Sequence, residues 1–449
     1  MTPDSSCFDL APLRQTVAAW WETHVGALDL EAAEQLALAL SRSLAQAMLH
    51  TALTRSTGRA TYRGTTLPCP QCAGKARFLG YRSRWLRTLC GDQRVRRAYY
   101  HCATCQHGYH PWDAEAGLNE RSFSPAVKAL AVECCARLPH REVAELLGRV
   151  AGLSLEESSQ QEIVGEVGTR LRAAEAAAIE RCFDPRETDA PVADAPVAGA
   201  RLYVGIDAAK AHIDGSWHDV KCAVLYPGEP PPPGGPPGGR DPIRPWDRAG
   251  PKRYVARQEE VAAFGPRTYV AALAAGLEHA REVVVLGDGA DWIWNLAAEH
   301  FHGATEILDY YHAAAYLWKL VPVLYGEDSP QGQRWAEERC RDLQAHGPQA
   351  LLRALRRRKP RSEAAREALR LALGYFGTHR RRMDYPGFRK RGLMIGSGPV
   401  EAACKVLVGQ RLKGAGMRWS APGADCMLAS RAAVLNRDYE RIAQYARAA

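Results

Sequence analysis

The sequence has no long apolar run and no leader-like start. Its 449 residues contain no window of about 18 consecutive apolar side chains, so we expect no membrane-spanning helix and no membrane partner. The residues after Met1 lack the basic and apolar stretches of a secretory signal peptide. With 46% apolar and 24% charged residues, the composition is that of an ordinary globular protein. We therefore expect a cytoplasmic protein.

A disulfide framework is also not expected, because the chain is predicted to be cytoplasmic and nine of its 13 cysteines show no regular spacing. The other four form two Cys-x-x-Cys pairs, which predict a tetrahedral site for a structural Zn²⁺ in a small β ribbon. The metal would fold a unit too small to have a core of its own. Nearby His101, His107 and His110 can compete as ligands. The predicted zinc ligands are Cys69, Cys72, Cys102 and Cys105.

The segment between the two cysteine pairs mixes basic and aromatic residues. This mixture is typical of a nucleic-acid surface, although a strand with one solvated face gives the same pattern. The residues are Arg77, Arg82, Arg84, Arg87, Arg94, Arg96 and Arg97, interleaved with Phe78, Tyr81, Trp85, Tyr99 and Tyr100.

Positive charge is concentrated in one later segment. The formal net charge is +9, and between Leu351 and Arg391 fourteen Lys or Arg face three acids, so the rest of the chain sums to about −2. Local basicity of this kind is expected of a surface that meets a polyanion, and a solvated helix face is the alternative. The predicted DNA contacts in this segment are Arg356, Arg357, Arg358, Arg380, Arg381 and Arg382.

Helical patterns surround the predicted ribbon. After it, Leu138–Leu147, a turn at Gly152 and a capped second helix follow the order of a helix-turn-helix, although any helical hairpin gives this pattern. In a helix-turn-helix, Gln160 and Gln161 would face a DNA groove. The predicted divisions are a helical region at 1–58, the zinc ribbon at 59–115, the helix-turn-helix region at 120–185, an Ala/Pro/Asp linker at 186–200 and a catalytic domain at 201–449.

Two short apolar runs in the last of these divisions each end on an aspartate, Asp207 and Asp288. Such runs predict buried strands that carry a carboxylate at their tips. A third acid, Glu401, stands in the first turn of a predicted helix. Together they can form an oxygen-only site for two divalent cations, Mg²⁺ or Mn²⁺, which suits phosphodiester chemistry. Taken singly, each acid has a structural explanation as a turn or cap residue, or as a favourable charge near a helix N-terminus.

The order of the predicted elements is three strands followed by alternating helices and strands. This is the order of a ribonuclease H-like α/β sheet, in which the first and fourth strands are neighbours and bring their end carboxylates side by side. A Pro/Gly-rich insert at 227–252 cannot form a core element and is predicted to be a solvated excursion.

Four motifs resemble the DDE transposases of bacterial insertion sequences, most closely the ISKra type. They are Gly205-Ile-Asp-Ala-Ala, Leu286-Gly-Asp-Gly-Ala-Asp-Trp-Ile, Ile395-Gly-Ser-Gly-Pro-Val-Glu-Ala and Lys413-Gly-Ala-Gly-Met-Arg-Trp-Ser. The resemblance runs from about Ala60 to Arg437. It implies a ribonuclease H-like core, Mg²⁺ dependence, a catalytic triad of Asp207, Asp288 and Glu401, and an all-helical insertion, placed at 313–392.

The same resemblance gives roles to further residues. Asp309-Tyr-Tyr-His312 is similar to a [Cys/Asp]-x-x-His motif that lies beside the active site of related transposases, which makes His312 a candidate catalytic residue. A capped helix start with a buried histidine is the alternative. Lys413, Arg418 and Trp419 are predicted to contact DNA, whereas Trp419 could equally pack in the core.

The expected function is therefore that of a DNA transposase associated with the nucleoid. It would bind terminal inverted repeats through the ribbon and the helix-turn-helix, hydrolyse the element end, and join the freed 3′-hydroxyl to target DNA as a homodimer or larger assembly. The alternatives are a ribonuclease H-like nuclease or resolvase without strand transfer, and a DNA-binding regulator without catalysis.

Overall fold

A computed structural model describes residues 11–25, 29–119, 121–186, 201–229 and 247–447. The chain divides into two compact units. The first comprises Met1–Val127, Ala151–Leu153 and Arg447–Ala449, and the second comprises Lys128–Val150 and Ser154–Ala446. The structure thus groups the N-terminal helices with the predicted ribbon, while the finer domain bounds stay predictions. Most of the predicted linker, 187–200, and of the Pro/Gly-rich insert, 230–246, lies outside the described residues.

The first unit contains a four-stranded antiparallel sheet in the order β1-β2-β3-β4. Its two long strands form a hairpin, and a second helix packs against β3. The elements are α1 (Ala11–His24), α2 (Leu30–Ala60), β1 (Thr66–Pro68), β2 (Lys75–Thr88), β3 (Gly91–Cys102), β4 (Gly108–Tyr109) and α3 (Pro111–Glu115).

The buried residues of this sheet fall into two small clusters. One surrounds Tyr100 and includes the sulfurs of Cys69 and Cys102. The other joins Leu86 and Val95 to Leu118, with Leu53 of α2 packed against it. Clusters this small supply little hydrophobic stabilisation, so a bound metal ion would contribute much of the stability of the ribbon.

The second unit is a mixed α/β domain. The elements from the boundary onward are α4 (Pro125–Cys135), α5 (His140–Ala151), α6 (Glu157–Phe183), β5 (Arg201–Ile213), β6 (Ser216–Glu229), β7 (Arg248–Ala249), β8 (Arg253–Arg257), α7 (Val261–Ala274), β9 (Glu282–Gly287), α8 (Asp291–His300), β10 (Thr305–Leu308), α9 (Tyr310–Lys319), α10 (Val321–Tyr325), α11 (Pro330–His346), α12 (Pro348–Arg356), α13 (Glu363–Thr378), α14 (Tyr385–Lys390), α15 (Gly398–Cys404), α16 (Gln410–Leu412), α17 (Ala421–Leu435) and α18 (Tyr439–Ala446).

The sheet of this unit runs in the order β10-β9-β5-β6-β7, and β8 also pairs with β6. Strands β10, β9 and β5 are parallel, whereas β6 is antiparallel to both β5 and β8. The β-branched run Val283–Val285 lies in the middle strand of the parallel group, where strands are covered on both faces and read as continuous apolar runs. Strands β9 and β10 therefore end at one edge of the sheet, where their parallel pairing stops, while β5 continues past that level to Ile213.

Helices cover this sheet and fill the segment after it. Helix α15 packs on β5 and β6, and α17 packs on α6. A Cβ added at Gly205 would lie 3.1 Å from the Cβ of Val400, so the close approach of α15 to β5 depends on that glycine. Between Tyr310 and Lys390 the described chain forms helices and turns and no strand. Among all described helices, none combines the length and the apolar character that crossing a bilayer requires.

The predicted solvated excursion begins later than residue 227. Strand β6 continues through Pro227 to Glu229 and pairs there with β7, with Gly228 opposite Ala249. The buried carboxylate of Asp247 accepts hydrogen bonds from the Tyr203 hydroxyl at 2.6 Å and from Arg201 Nη1 at 3.1 Å. Backbone pairing and this buried acid therefore hold the described ends of the insert on the sheet.

Candidate functional site

The four cysteines of the Cys-x-x-Cys pairs form one cluster. Their sulfur atoms all lie within 4.8 Å of one another, with Cys69 Sγ and Cys105 Sγ 3.6 Å apart and Cys72 Sγ and Cys102 Sγ also 3.6 Å apart. A tetrahedron of Zn–S bonds of about 2.3 Å has sulfurs about 3.8 Å apart. The cluster can therefore hold a metal ion such as zinc with little movement.

Local backbone geometry prepares one of these thiols, that of Cys102, for a cation. Hydrogen bonds from the backbone N–H groups of Cys105 and Thr104 lower the pKa of the Cys102 thiol to about 6, although burial opposes the shift. The deprotonated sulfur is the form that binds zinc. The histidines do not join the cluster: His110 directs Nδ1 at the carbonyl oxygen of Ala98, 3.0 Å away, and His107 stacks on Tyr109.

Three aspartates form a row at the carboxyl edge of the parallel strands. Gly205 pairs with Leu286 and Leu286 with Ile307, and the aspartate follows two residues later on each strand. Asp207, Asp288 and Asp309 are therefore level on β5 and at the ends of β9 and β10. Neighbouring strands are about 4.8 Å apart, so carboxylates at this level are close neighbours. We call these three residues the aspartate row.

Asp207 is the member of the aspartate row that lies on β5. Its Oδ1 accepts a hydrogen bond from the N–H of Ala208 at 2.7 Å, and the Cys404 thiol donates to its Oδ2 at 3.7 Å. Burial raises the pKa of Asp207, and the negative charge of Asp288 adds to this shift, while His312 opposes it. A buried carboxylate beside another carboxylate favours any bound cation that would compensate the two charges.

Asp288 stands at a tight turn. Its Oδ1 accepts from the N–H of Ala290 at 3.0 Å, and Gly289 has φ +106°, a conformation that side chains disfavour. A Cβ at Gly289 would meet Leu308 Cδ1 at 2.9 Å and Tyr375 Oη at 3.1 Å. The glycine therefore lets both groups close around the end of β9.

Asp309 has a structural role in the row. It is fully buried, and its two oxygens accept hydrogen bonds from the N–H of Ser397 at 2.8 Å and the N–H of His312 at 3.0 Å. The acid therefore caps α9 and holds the loop that leads into α15. The capped helix start anticipated as the alternative for this motif is present, but its histidine is not buried.

His312 is half-exposed beside the aspartate row. Its Nδ1 lies 3.5 Å from Asp309 Oδ2, and its side chain is 51% exposed. The hydrogen bond with Asp309 raises the pKa of His312, and the charges of Asp288 and Asp207 contribute, although burial opposes the shift. The imidazole therefore keeps its proton to a higher pH than an ordinary histidine does.

Glu401 lies on the helix that covers β5. Cys404, one turn further along α15, touches Asp207, and residues three apart occupy neighbouring positions on a helix surface. The Glu401 side chain is exposed, and its Oε1 accepts a hydrogen bond from Ser397 Oγ at 3.4 Å. A π-helical turn, Lys405–Gly409, follows directly. The helix thus brings Glu401 to the side of the sheet edge where Asp207 stands.

The acids do not converge on one point. Among the described residues, the cysteine cluster is the only set of three or more His, Cys, Asp or Glu whose ligand atoms all lie within 4.8 Å of one another. A site for two ions asks for less, because ligands of different ions 3.5–4 Å apart can themselves be about 8 Å apart. The residue types of the row and Glu401 suit Mg²⁺, with substrate and water oxygens as further ligands.

Several neighbours of the row had no sequence signal. Tyr375 of α13 reaches Gly289 from 86 positions away, and burial, followed by the charge of Asp288, raises its pKa. Its ring stacks on Tyr316 at 4.4 Å. The buried Cys222 thiol, opposite Asp207 on β6, hydrogen-bonds with Cys404, which raises its pKa. Only a contact map could have revealed these partners.

The predicted DNA-binding arginines divide into two groups. Arg358 and Arg382 have side-chain partners within the protein. Arg358 lies 4.2 Å over the ring of Tyr325, and Arg382 pairs with Glu306 at 2.5 Å. Both stay predictions as DNA contacts, although an aromatic ring and an acid elsewhere in the fold already engage these side chains. The arginines that remain exposed are Arg356, Arg357, Arg380 and Arg381.

The glutamine predicted to read DNA from the start of α6 is misplaced. Gln160 is fully buried, and its side chain bonds with the carbonyl oxygen of Leu155 and with His140 Nδ1. The prediction failed because Gln160 faces α5 inside the helical hairpin. Gln161 is exposed and lines a cleft of about 910 Å³, together with Arg418 of the 413–420 loop.

The remaining predicted DNA contacts lie in and beside that loop. Lys413 and Arg418 are exposed. Trp419 is half-buried, the guanidinium of Arg411 covers its ring at 4.9 Å, and its carbonyl accepts from the N–H of Asp214. These contacts favour the core-packing alternative for Trp419.

No protein-family model matches this chain, and no curated protein matches it either.

Proposed function

We propose that this protein is a DNA transposase that cuts and joins phosphodiester bonds at the aspartate row. The observation that carries the proposal is the level alignment of Asp207 and Asp288 on neighbouring parallel strands, with the helix of Glu401 packed over β5. The motifs at these three acids are those that resemble DDE transposases.

The strand arrangement supports a ribonuclease H-like core. The first strand of the domain, β5, lies between the second, β6, and β9, which is the fourth strand when the two-residue β7 is set aside. Such a core would place the first and fourth strands together, and their end acids side by side. The helical segment Tyr310–Lys390 occupies the place of the expected insertion.

The chain's own residues have distinct parts in the proposed reaction. When bound, two Mg²⁺ ions would activate the attacking water or 3′-hydroxyl and stabilise the departing oxygen. Asp207 would bridge both ions, Asp288 would hold one, and Glu401 would hold the other. Burial of Asp207 prepares a carboxylate that gains by meeting a cation. No side chain of this set needs to act as a nucleophile.

His312 would assist from the rim of the row. Its raised pKa favours the protonated imidazole, and its exposure leaves that proton accessible to a substrate phosphate. A donor in this position would neutralise charge that develops on a non-bridging phosphate oxygen. Its hydrogen bond with Asp309 would hold the ring in place.

The DNA would be held by basic surfaces on the same unit. Arg356, Arg357, Arg380 and Arg381 are exposed on the helical segment, and Gln161 and Arg418 line the 910 Å³ cleft. Each phosphate contact of this kind releases counterions, so binding would weaken steeply with salt. Paired element ends would require a homodimer or a larger assembly on nucleoid DNA.

The proposal is tested by Mg²⁺-dependent cleavage of candidate element ends. We expect Asp207→Asn and Asp288→Asn each to lower the single-turnover rate by at least about a thousandfold while zinc content and DNA affinity persist. Asp219→Asn is the matched control, because Asp219 is an exposed acid of the same sheet that pairs with Lys210. Equal activity in all three variants would refute the assignment.

A second assay separates transposition from simple hydrolysis. Pre-cut ends carrying a free 3′-hydroxyl are incubated with plasmid, and a transposase joins the two. Cleavage without joining would identify a nuclease or resolvase. DNA binding with neither reaction would identify a regulator.

A further inference from the structure

The β2–β3 hairpin of the first unit sorts its basic residues onto two faces. Arg84 and Arg97 belong to the inner face, where both pair with Asp113. The opposite face carries Tyr81 and Trp85 on β2, and facing Trp85 across the strands is Arg94. The mixed arginines of the sequence therefore serve two different purposes.

The outer face has a compact set of aromatic and cationic groups. Trp85 is 62% exposed, and no other described ring stacks on it. Arg96 lies over the Tyr81 ring at 4.5 Å, so one side of its guanidinium plane covers the ring and the other side faces away from it. Arg94, Arg96 and Tyr81 also line a hollow of about 340 Å³ at the edge of β3. We call Tyr81, Trp85, Arg94 and Arg96 the outer hairpin face.

Its two arginines are not neutralised within the described chain. The acid nearest in the hairpin, Asp92, pairs with Arg87 at 3.2 Å, and Asp113 serves the inner face. No described carboxylate forms a salt bridge with Arg94 or Arg96. Two uncompensated charges beside two aromatic rings match a ligand that alternates anionic groups with flat apolar ones.

We propose that the outer hairpin face binds single-stranded DNA. Bases would stack on Trp85 and on the Tyr81–Arg96 pair, and backbone phosphates would meet Arg94 and Arg96. The two aromatic positions are four residues apart on one strand, about 13 Å, so both can engage one nucleotide strand. A duplex keeps its bases stacked inside, so the exposed indole selects unpaired nucleotides.

This inference deepens the proposed function, on which it rests only for the biological source of the strand. A protein that opens DNA at an element end produces unpaired nucleotides there. The hairpin would capture them through contacts that need neither Mg²⁺ nor the aspartate row. Binding and cleavage can therefore fail separately.

The test measures fluorescence anisotropy of a labelled oligothymidine and of a matching duplex with the full-length, zinc-loaded protein, without Mg²⁺. Trp85→Ala should weaken single-strand binding by about 5-fold to 150-fold, the loss of one stacked base, with little effect on the duplex. Trp85→Phe should recover most of the affinity. Trp217→Ala is the matched control, because Trp217 is 63% exposed in the second unit.

Salt dependence separates stacking from charge. Arg94→Gln combined with Arg96→Gln should reduce the slope of log affinity against log salt by about 1.4, because each phosphate contact on a single strand contributes about 0.7. Trp85→Ala should leave this slope unchanged. The inference is overturned if Trp85→Ala behaves like Trp217→Ala, or if it weakens the duplex equally. Failed cleavage by the wild-type protein would leave these results standing.

Discussion

In the first unit four sulfur atoms lie within 4.8 Å of one another, whereas in the second unit three aspartates stand in a row without closing on one point. The thiols fill a tetrahedron and leave no position for substrate, as structural zinc sites do. The acids leave room for water and phosphate oxygens, and burial raises the pKa of one of them, Asp207. A closed ligand set suits a structural metal, whereas an open set leaves positions that a substrate can occupy.

The largest effect is expected from removing a ligand of the cysteine cluster. Cys102→Ser should abolish stoichiometric zinc and unfold the ribbon, because metal binding supplies about 10–16 kcal/mol to comparable small zinc folds. Zinc content by mass spectrometry and protease resistance of residues 61–119 would be measured. Cys90→Ser, outside the cluster, should keep both. A folded, protease-resistant ribbon without metal would break the contrast.

A smaller effect is expected at the structural end of the aspartate row. Asp309→Ala would leave the buried N–H of Ser397 and the partly exposed N–H of His312 without this acceptor and should lower the free energy of unfolding by about 2–4 kcal/mol. Asp384→Ala removes an exposed cap at α14 and should cost only about 1 kcal/mol. Denaturant unfolding compares the two. Similar losses would mean that Asp309 is no more than a helix cap.

The crowding at Gly289 gives the next effect. Gly289→Ala should cost about 2–4 kcal/mol, since φ is +106° and the new methyl would strike Leu308 and Tyr375. Gly303 has φ +76° with no atom within 4 Å of an added Cβ, so Gly303→Ala should cost only about 1 kcal/mol. Thermal unfolding of both variants isolates the contact. Equal losses of stability in the two variants would contradict the close contact of Tyr375 with Gly289.

The smallest effect is expected at Asp207, where a substitution should increase stability rather than lower it. Asp207→Asn should raise the free energy of unfolding of the Mg²⁺-free protein by about 0.5–2 kcal/mol. The raised pKa of Asp207 means that the folded state binds its proton more tightly than the unfolded state does, so stability falls as pH rises through that interval. The gain should be complete above that interval and vanish below about pH 3.9, where the carboxyl is protonated in both states. Destabilisation by this substitution above that pH interval would show that burying the charged Asp207 carboxylate is not costly.

Local patterns predicted the parts of both sites that depend on neighbours in sequence. Two Cys-x-x-Cys pairs predicted the sulfur cluster, which the structure contains. Apolar runs ending at Asp207 and Asp288 predicted strand ends. Strand β9 does end just before Asp288, whereas β5 continues past Asp207 to Ile213, so that boundary was wrong although the two acids are level. Periodicity and spacing act over a few residues, so they are visible without a fold.

What the sequence did not show are partners that periodicity and spacing do not reveal. Gln160 was assigned to DNA, yet its amide satisfies α5 and Leu155 inside the hairpin. Arg382 looked like part of a charged belt, although Glu306, 76 positions earlier, engages it. Tyr375 was overlooked because its approach to Gly289 arises only when α13 folds over the sheet. Side-chain charge alone does not tell a DNA contact from an internal ion pair.

The pairing of Gly228 with Ala249 has a practical consequence. The chain leaves the sheet and returns to it at adjacent positions, and Asp247 holds the return point through Tyr203 and Arg201. Lengthening a connection between ends already held together costs little entropy, about 0.6 kcal/mol for each doubling. A fluorophore or affinity peptide could therefore be added between residues 230 and 246 at a small cost in folding free energy.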